Sequence, residues 1–252
     1  MAELLFWPAL LGYGEAAIAY TSPRYTRSAM WGVRIGWLAQ TALLVVQASR
    51  VDAFPWSSWA GSLNLFVWLI VGTYLIWGCQ DRYRLVGLTV MPLVVLLFVA
   101  SRVGGGTQAG TRSHYSNLFL TVHVGFVLAA FAGFTLAAAL ASLYLVEERR
   151  LQRHAPDILR WRLPSLVVLE RLTVRTIAVA LPLLTVGLAA GIVRLREQGK
   201  GLDATMAAAL VTWLVYAGFV ATRATGRRAA QLALVGFGLV IVARVVLAGS
   251  HF

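Results

Sequence analysis

Long apolar blocks separated by short, arginine-bearing stretches set the rhythm of this 252-residue chain. The blocks run for roughly 16 to 25 residues, the length a helix rising 1.5 Å per residue needs to cross a hydrocarbon core about 30 Å thick. The pattern predicts eight spans, at roughly 3–21, 31–49, 60–78, 86–101, 115–145, 175–193, 204–222 and 229–249. In lipid every backbone polar group needs a partner inside the protein, so such blocks are helices. The expected fold is an all-α integral membrane bundle of about eight transmembrane helices, with 1–252 as a single transmembrane domain. No soluble domain and no internal repeat interrupts it.

The longest polar connection, about 146–174, alternates apolar and basic residues and contains Pro156 and Pro164. Ile158, Leu159, Trp161 and Leu163 are expected along the lipid headgroups, with the arginines meeting anionic lipid. A docking site for a regulatory partner is the functional alternative.

Composition agrees with the pattern. Hydrophobic residues make up 59% and charged residues 13% of the chain, and mean hydropathy is +0.75. A soluble globule of that make-up leaves too much apolar surface wet. The first block carries Glu3 in place of a basic start and lacks a small-residue cleavage site, so it does not read as a cleavable signal peptide. Cys79 is the one cysteine, which excludes an internal disulfide, a CxxC pair and a CxxCH attachment site.

The net charge of +12 would point to nucleic acid in a soluble protein. Its distribution points elsewhere. Loops after the odd-numbered spans hold fourteen arginines, and the opposite loops hold six basic residues. Basic residues collect on the cytoplasmic side, so both termini are expected outside, and nucleic acid is not an expected partner. The same charge favours anionic lipid headgroups. A multi-pass protein of the cell membrane is the expected localisation.

Two of the four histidines then fall at one membrane face. His123 lies 21 residues before Tyr144, near the inner end of the fifth span, and so about 31 Å away at the outer edge. His251 follows the eighth span on the same side. Two neutral imidazoles at one depth suit the axial positions of a heme iron. Taken singly, each has a plainer role: His123 as an interfacial residue bonded to a loop, His251 as part of a loose chain end.

Other polar residues divide in the same way. Arg244, in the outer half of the last span, suits either a heme propionate or outer headgroups. Trp56 and Trp59, in FPWSSWAG, suit either a porphyrin platform or aromatic-belt anchoring. Glu15 and Arg34 are charges inside spans and are expected to face each other as a structural pair. The ladder Gly125, Ala129, Gly133, Ala137 and Ala141 predicts close helix packing that holds His123 on a fixed element. No P-loop, HExxH, DxD or GxSxG is present. Hydrolytic chemistry therefore has no candidate residues.

The stretches LTVHVGFVLAAFAGFTLAAALASLYLVEERRLQ (120–152), PSLVVLERLTVRTIAVALPLLTVGLAAGIV (164–193) and LVTWLVYAGFVATRATGRRAAQLALVGFGLVIVARVVLAGSHF (210–252) resemble the cytochrome c assembly superfamily. That group includes CcsA/ResC and CcmC heme-handling proteins and the shorter HemX-like proteins. The resemblance implies a bacterial plasma membrane and non-covalent heme b, with His123 and His251 as its outward ligands. It also implies partners among other cytochrome c assembly proteins or a tetrapyrrole-synthesis enzyme. The chain departs from the family's tryptophan-rich outer loop of the form WGxxWxWDxxExW: REQGKGLDATMAAALVTW retains Asp203 and Trp213 alone. A further family histidine is Ala221 here. These departures shift the likeness toward HemX-like members. The expected function is heme handling at the extracytoplasmic face for c-type cytochrome biogenesis, with control of tetrapyrrole synthesis through a cytoplasmic partner as the alternative.

Overall fold

The computed structural model describes residues 2–50, 58–77, 79–80, 83–107, 118–153, 165–198 and 204–246. All regular structure among them is helical. The helices are α1 (Ala2–Ala19), α2 (Thr26–Arg50), α3 (Trp59–Trp77), α4 (Arg84–Val103), α5 (Leu118–Gln152), α6 (Leu166–Gln198), α7 (Ala204–Ala221) and α8 (Gly226–Val246), with one 3-10 turn at Pro23–Tyr25. Four stretches are long and apolar enough to cross a membrane: Pro23–Ser49, Arg84–Val103, Val122–Gln152 and Leu166–Val193. Leu4–Ala19, Ala60–Ile76 and Ala207–Ala221 are shorter apolar helices. Pro8, Pro92 and Pro182 sit inside helices, a placement that membrane helices tolerate better than soluble ones.

The largest departure from the sequence pattern lies between the fifth and sixth spans. Residues 146–152 continue α5 and residues 166–174 already belong to α6. The expected connection of 146–174 therefore shrinks to 153–165. Pro156, Ile158, Leu159, Trp161, Leu163 and Pro164 all lie there, outside the described residues. The charged residues on either side hide two helical continuations from the hydrophobic pattern.

The chain divides into two compact units, 1–117 and 118–252. In the first, α1 and α2 pack backbone to backbone. A Cβ on Gly12 would stand 2.6 Å from the Gly32 carbonyl and 2.9 Å from the Gly36 amide. The Gly32-Val-Arg-Ile-Gly36 stripe, four residues apart, is what admits that approach.

A buried polar chain then ties the unit together. Tyr13 donates to Gln40 Oε1 at 2.7 Å, and Gln40 Nε2 donates to Asn64 Oδ1 at 2.8 Å. Asn64 Nδ2 reaches Gln47 Oε1 at 3.3 Å, and Gln47 Nε2 donates to the Gly106 carbonyl at 3.1 Å. Each such bond between membrane helices contributes about 0.6 kcal/mol. An amide left unpaired in hydrocarbon costs several times that. The network therefore specifies which helices meet more than it stabilises them.

In the second unit α5 and α6 form the most extensive pair. Tyr216 of α7 fastens α5 to α8. Its ring stacks on Phe134 with centroids 3.7 Å apart and planes 4° apart, and its hydroxyl donates to the Ala233 carbonyl at 3.2 Å. Gly236 leaves room for that ring, since a Cβ there would lie 2.6 Å from Tyr216 Cζ.

Two expectations need correction. Glu15 and Arg34 form no ion pair. The Glu15 carboxylate packs against Gly32, whereas the Arg34 guanidinium lies over the Trp31 ring at 5.1 Å. Gly32 faces α1, and a residue two positions on is turned about 200° around the helix, away from that contact. In the small-residue ladder, Gly133 meets Ala180, and Ala137 and Ala141 are buried, but a Cβ on Gly125 would touch nothing within 4 Å. The ladder serves the middle and C-terminal parts of α5 and not the end that carries His123.

Candidate functional site

His123 sits five residues into α5 with a half-buried ring. Its Nδ1 lies 2.6 Å from the Gly187 carbonyl oxygen of α6. A carbonyl only accepts, so Nδ1 carries the hydrogen and donates it. The imidazole is thereby held as the tautomer whose lone pair is on Nε2, and among the described residues none hydrogen-bonds Nε2. This is the arrangement of a metal-ligating histidine, whose second nitrogen donates to a carbonyl that fixes its rotation and raises its basicity.

Gly187 earns its position by lacking a side chain. A Cβ there would stand 2.7 Å from Val127 Cγ2 and 3.1 Å from the Val127 amide nitrogen. Only glycine lets α6 come close enough for its carbonyl to meet His123. Two residues away, Thr185 Oγ1 accepts a 2.8 Å hydrogen bond from Trp213 Nε1, which binds α7 to the same stretch of α6. The backbone that orients His123 is thus braced from a third helix.

The far end of α8 reaches the same level. Gly226, at φ +60°, begins α8 against the Tyr144 hydroxyl of α5. From that shared level, Val246 is 20 residues along α8 and His123 is 21 residues back along α5. At 1.5 Å per residue both lie about 30 Å away. The C-terminal end of α8 therefore arrives at the depth of His123. Arg244 occupies a backbone position two residues short of that end, and its side chain is not described. His251 lies outside the described residues, as does Trp56. Trp59 is described only as the first backbone position of α3.

The opposite end of the unit is charged. Arg227 Nε of α8 lies 3.9 Å from Glu148 Oε2 of α5. Glu147 is buried, and its Oε2 has no hydrogen-bond partner. Arg149 and Arg150 on α5, Arg153 directly after it, and Arg171 and Arg175 on α6 are exposed. No group of three or more His, Cys, Asp or Glu placed to hold a bare metal ion occurs among the described residues. A metal carried inside an organic ring needs only axial ligands, and His123 Nε2 has the chemistry of one.

Sequence reasoning singled out His123 but missed Gly187. Its signal was available only as a glycine inside an apolar span, which by itself does not say which neighbour it admits.

Comparison with known proteins adds an independent line. The model of the family described as Cytochrome C assembly protein matches residues 56–248. The chain is 26% identical over 294 aligned residues to the cytochrome c biogenesis protein CcsA of Microcystis aeruginosa, covering 95% of this chain and 90% of that protein. It is 28% identical over 213 residues to the CcsA of Guillardia theta, covering 74% and 71%. It is also 28% identical over 161 residues to the protein HemX of Brevibacillus brevis, covering 62% and 58%.

Proposed function

Because this chain belongs to the cytochrome c assembly protein family, we propose that it is a heme-binding membrane protein that handles heme at the extracytoplasmic face during c-type cytochrome biogenesis. The observation that carries the reading is the bond from His123 Nδ1 to the Gly187 carbonyl, which leaves Nε2 available to a metal. Heme, the cargo, supplies an iron with two open axial positions. His123 and His251 are the proposed ligands to a non-covalent heme b. Arg244 is the proposed propionate partner, and Trp56 and Trp59 are proposed apolar surface beneath the ring. The arrival of α8 at the level of His123 supports the pairing of the two histidines.

The proposed topology is eight crossings with both termini outside, supported by the surplus of arginines on one side. A single functional domain is proposed because the family match runs across both compact units. The bacterial plasma membrane is the proposed location, with other assembly proteins as partners. No chemical step on the porphyrin is proposed: ligation by two neutral imidazoles holds the iron without one.

The absorption spectrum of the purified full chain tests this. A Soret band in the wild type that is lost in His123→Ala and in His251→Ala supports the reading. A colourless wild type that takes up no added heme overturns it.

A second reading is control of tetrapyrrole synthesis through a cytoplasmic partner. The exposed Arg149 and Arg150 at the C-terminal end of α5 and Arg153 directly after it favour it, as does the likeness to HemX. Loss of function on neutralising those three arginines, with both histidine variants intact, would select it.

A further inference from the structure

The turn between α1 and α2 opens a long stretch without acidic residues. Between Glu15 and Asp52 the chain holds Arg24, Arg27, Arg34 and Arg50 and neither aspartate nor glutamate. Arg34 is committed within the chain: it hydrogen-bonds the Cys79 thiol, interacts with Tyr20 and covers the Trp31 ring at 5.1 Å. Arg24 and Arg27 are exposed, and neither bonds to or pairs with a described residue. Glu15 packs against Gly32, about 100° around α2 from Trp31. The turn that carries the two arginines is itself held in place. Arg84 of α4 donates to the Tyr20 and Thr21 carbonyls at 3.0 and 3.3 Å, and Thr26 Oγ1 donates to the Pro23 carbonyl at 3.0 Å.

From that turn the surface of α2 changes character in one direction. Arg27, Trp31, Ile35 and Leu38 fall within about 80° of one another around the helix. Trp31, Ile35 and Leu38 are 60%, 54% and 62% exposed. Arg27 to Leu38 spans about 16 Å, close to one leaflet of a hydrocarbon core about 30 Å thick. The order is therefore cation, indole, aliphatic, along a stretch, Pro23–Ser49, that is long and apolar enough to cross a membrane. A phospholipid has the same order along its length: phosphate, glycerol, acyl chain. Guanidinium groups match phosphate oxygens with parallel N–H donors. A zwitterionic headgroup would bring its own cation to a place where no acidic residue receives it.

We propose that this stripe of α2 is a binding site for one anionic phospholipid, with its phosphate on Arg24 and Arg27, its glycerol against the Trp31 ring and an acyl chain along Ile35 and Leu38. The Arg34 guanidinium over Trp31 holds the indole in place from one face and leaves the other to the lipid. The charge of the headgroup supplies the selectivity, and the aliphatic stripe supplies contact that a free phosphate ion cannot make.

Native mass spectrometry of the full-length chain, released from nanodiscs of equal phosphatidylglycerol and phosphatidylcholine, tests this. Wild type should retain one phosphatidylglycerol in preference to phosphatidylcholine. An arginine near an anionic lipid surface is worth about 1 kcal/mol, and ~1.4 kcal/mol is a factor of ten. Arg24→Gln with Arg27→Gln should therefore lower that retention roughly 25-fold and still melt as wild type does, because neither side chain bonds to a described residue. Arg171→Gln with Arg175→Gln removes the same charge from α6 and should leave retention unchanged. Equal retention of the two lipids by wild type overturns the proposal. A loss as deep in the α6 pair does so too, since the charge would then act in bulk and not at a site. Soluble glycerol 3-phosphate at matched concentration should not displace the lipid; displacement would assign the arginines to a free phosphate. Release as a lipid-free dimer would give the face to a second copy and is equally fatal.

Discussion

The imidazole Nδ1 of His123 donates to the carbonyl oxygen of Gly187, 64 residues further along the chain, at 2.6 Å. This one bond joins the two longest helices of the second unit. It also decides which nitrogen of His123 keeps its lone pair.

The first prediction tests the space that makes the bond possible. Gly187→Ala puts a methyl group 2.7 Å from Val127 Cγ2, and overpacking of this kind costs about 1–3 kcal/mol. The melting temperature should fall. Heme affinity should fall roughly 10- to 100-fold, as it does when the partner that orients a metal ligand is disturbed. Adding Val127→Ala should recover both only in part, because the Val127 amide nitrogen stays 3.1 Å from the new methyl group. Unchanged heme affinity in Gly187→Ala would show that the contact does not position the histidine.

A second prediction separates scaffold from ligand at the same residue. His123→Asn retains an N–H donor for the Gly187 carbonyl but has no imine nitrogen. It should melt within about 1 kcal/mol of wild type, the net worth of one such hydrogen bond, while the Soret band is lost. A band that persists would remove His123 from the heme site.

The two polar anchors should respond differently to loss of one group. Tyr216→Phe keeps the stack on Phe134 and gives up only the bond to Ala233, so about 0.6 kcal/mol is expected, with 1.7 as an upper bound. Asn64→Leu removes the shared partner of Gln40 and Gln47. It takes one bond from each, while Gln40 keeps Tyr13 and the Asn64 backbone carbonyl and Gln47 keeps the Gly106 carbonyl, and should cost about 1–3 kcal/mol. Thermal unfolding of the two variants side by side checks the order.

Cys79, between α3 and α4, offers a pH readout. Burial raises its thiol pKa, and Arg34 and Tyr20 pull the other way. The thiolate is the reactive form, so alkylation should rise with pH along a curve displaced above that of a free cysteine. Arg34→Leu removes one of the lowering influences and should displace it further upward. A downward displacement would show that the guanidinium does not act on the thiol.

Much of the architecture was legible before any coordinates. Each apolar block overlaps a helix among the described residues, and His123, chosen from its depth, has its Nδ1 held by a backbone carbonyl. The polar residues were read less well. Gln40, Gln47 and Asn64 stand inside apolar spans, a sign of an internal network, yet their partners lie on three different elements and no spacing relates them. Glu15 and Arg34 were matched because both are charged and close in depth, but depth says nothing of direction around a helix. Gly125 joined the ladder by its spacing alone, and Gly187 escaped notice because its importance depends on Val127 across the interface.

Sequence by itself determined which segments enter lipid, their helical form and the distribution of charge, because transfer free energies belong to single residues and sum along the chain. Tertiary structure decided how far α5 and α6 continue past their apolar blocks, which face of each helix meets another, and which nitrogen of His123 is free. Those outcomes depend on rotation about helix axes and on approach distances of a few tenths of an ångström, and both are fixed only when the neighbouring helix is in place.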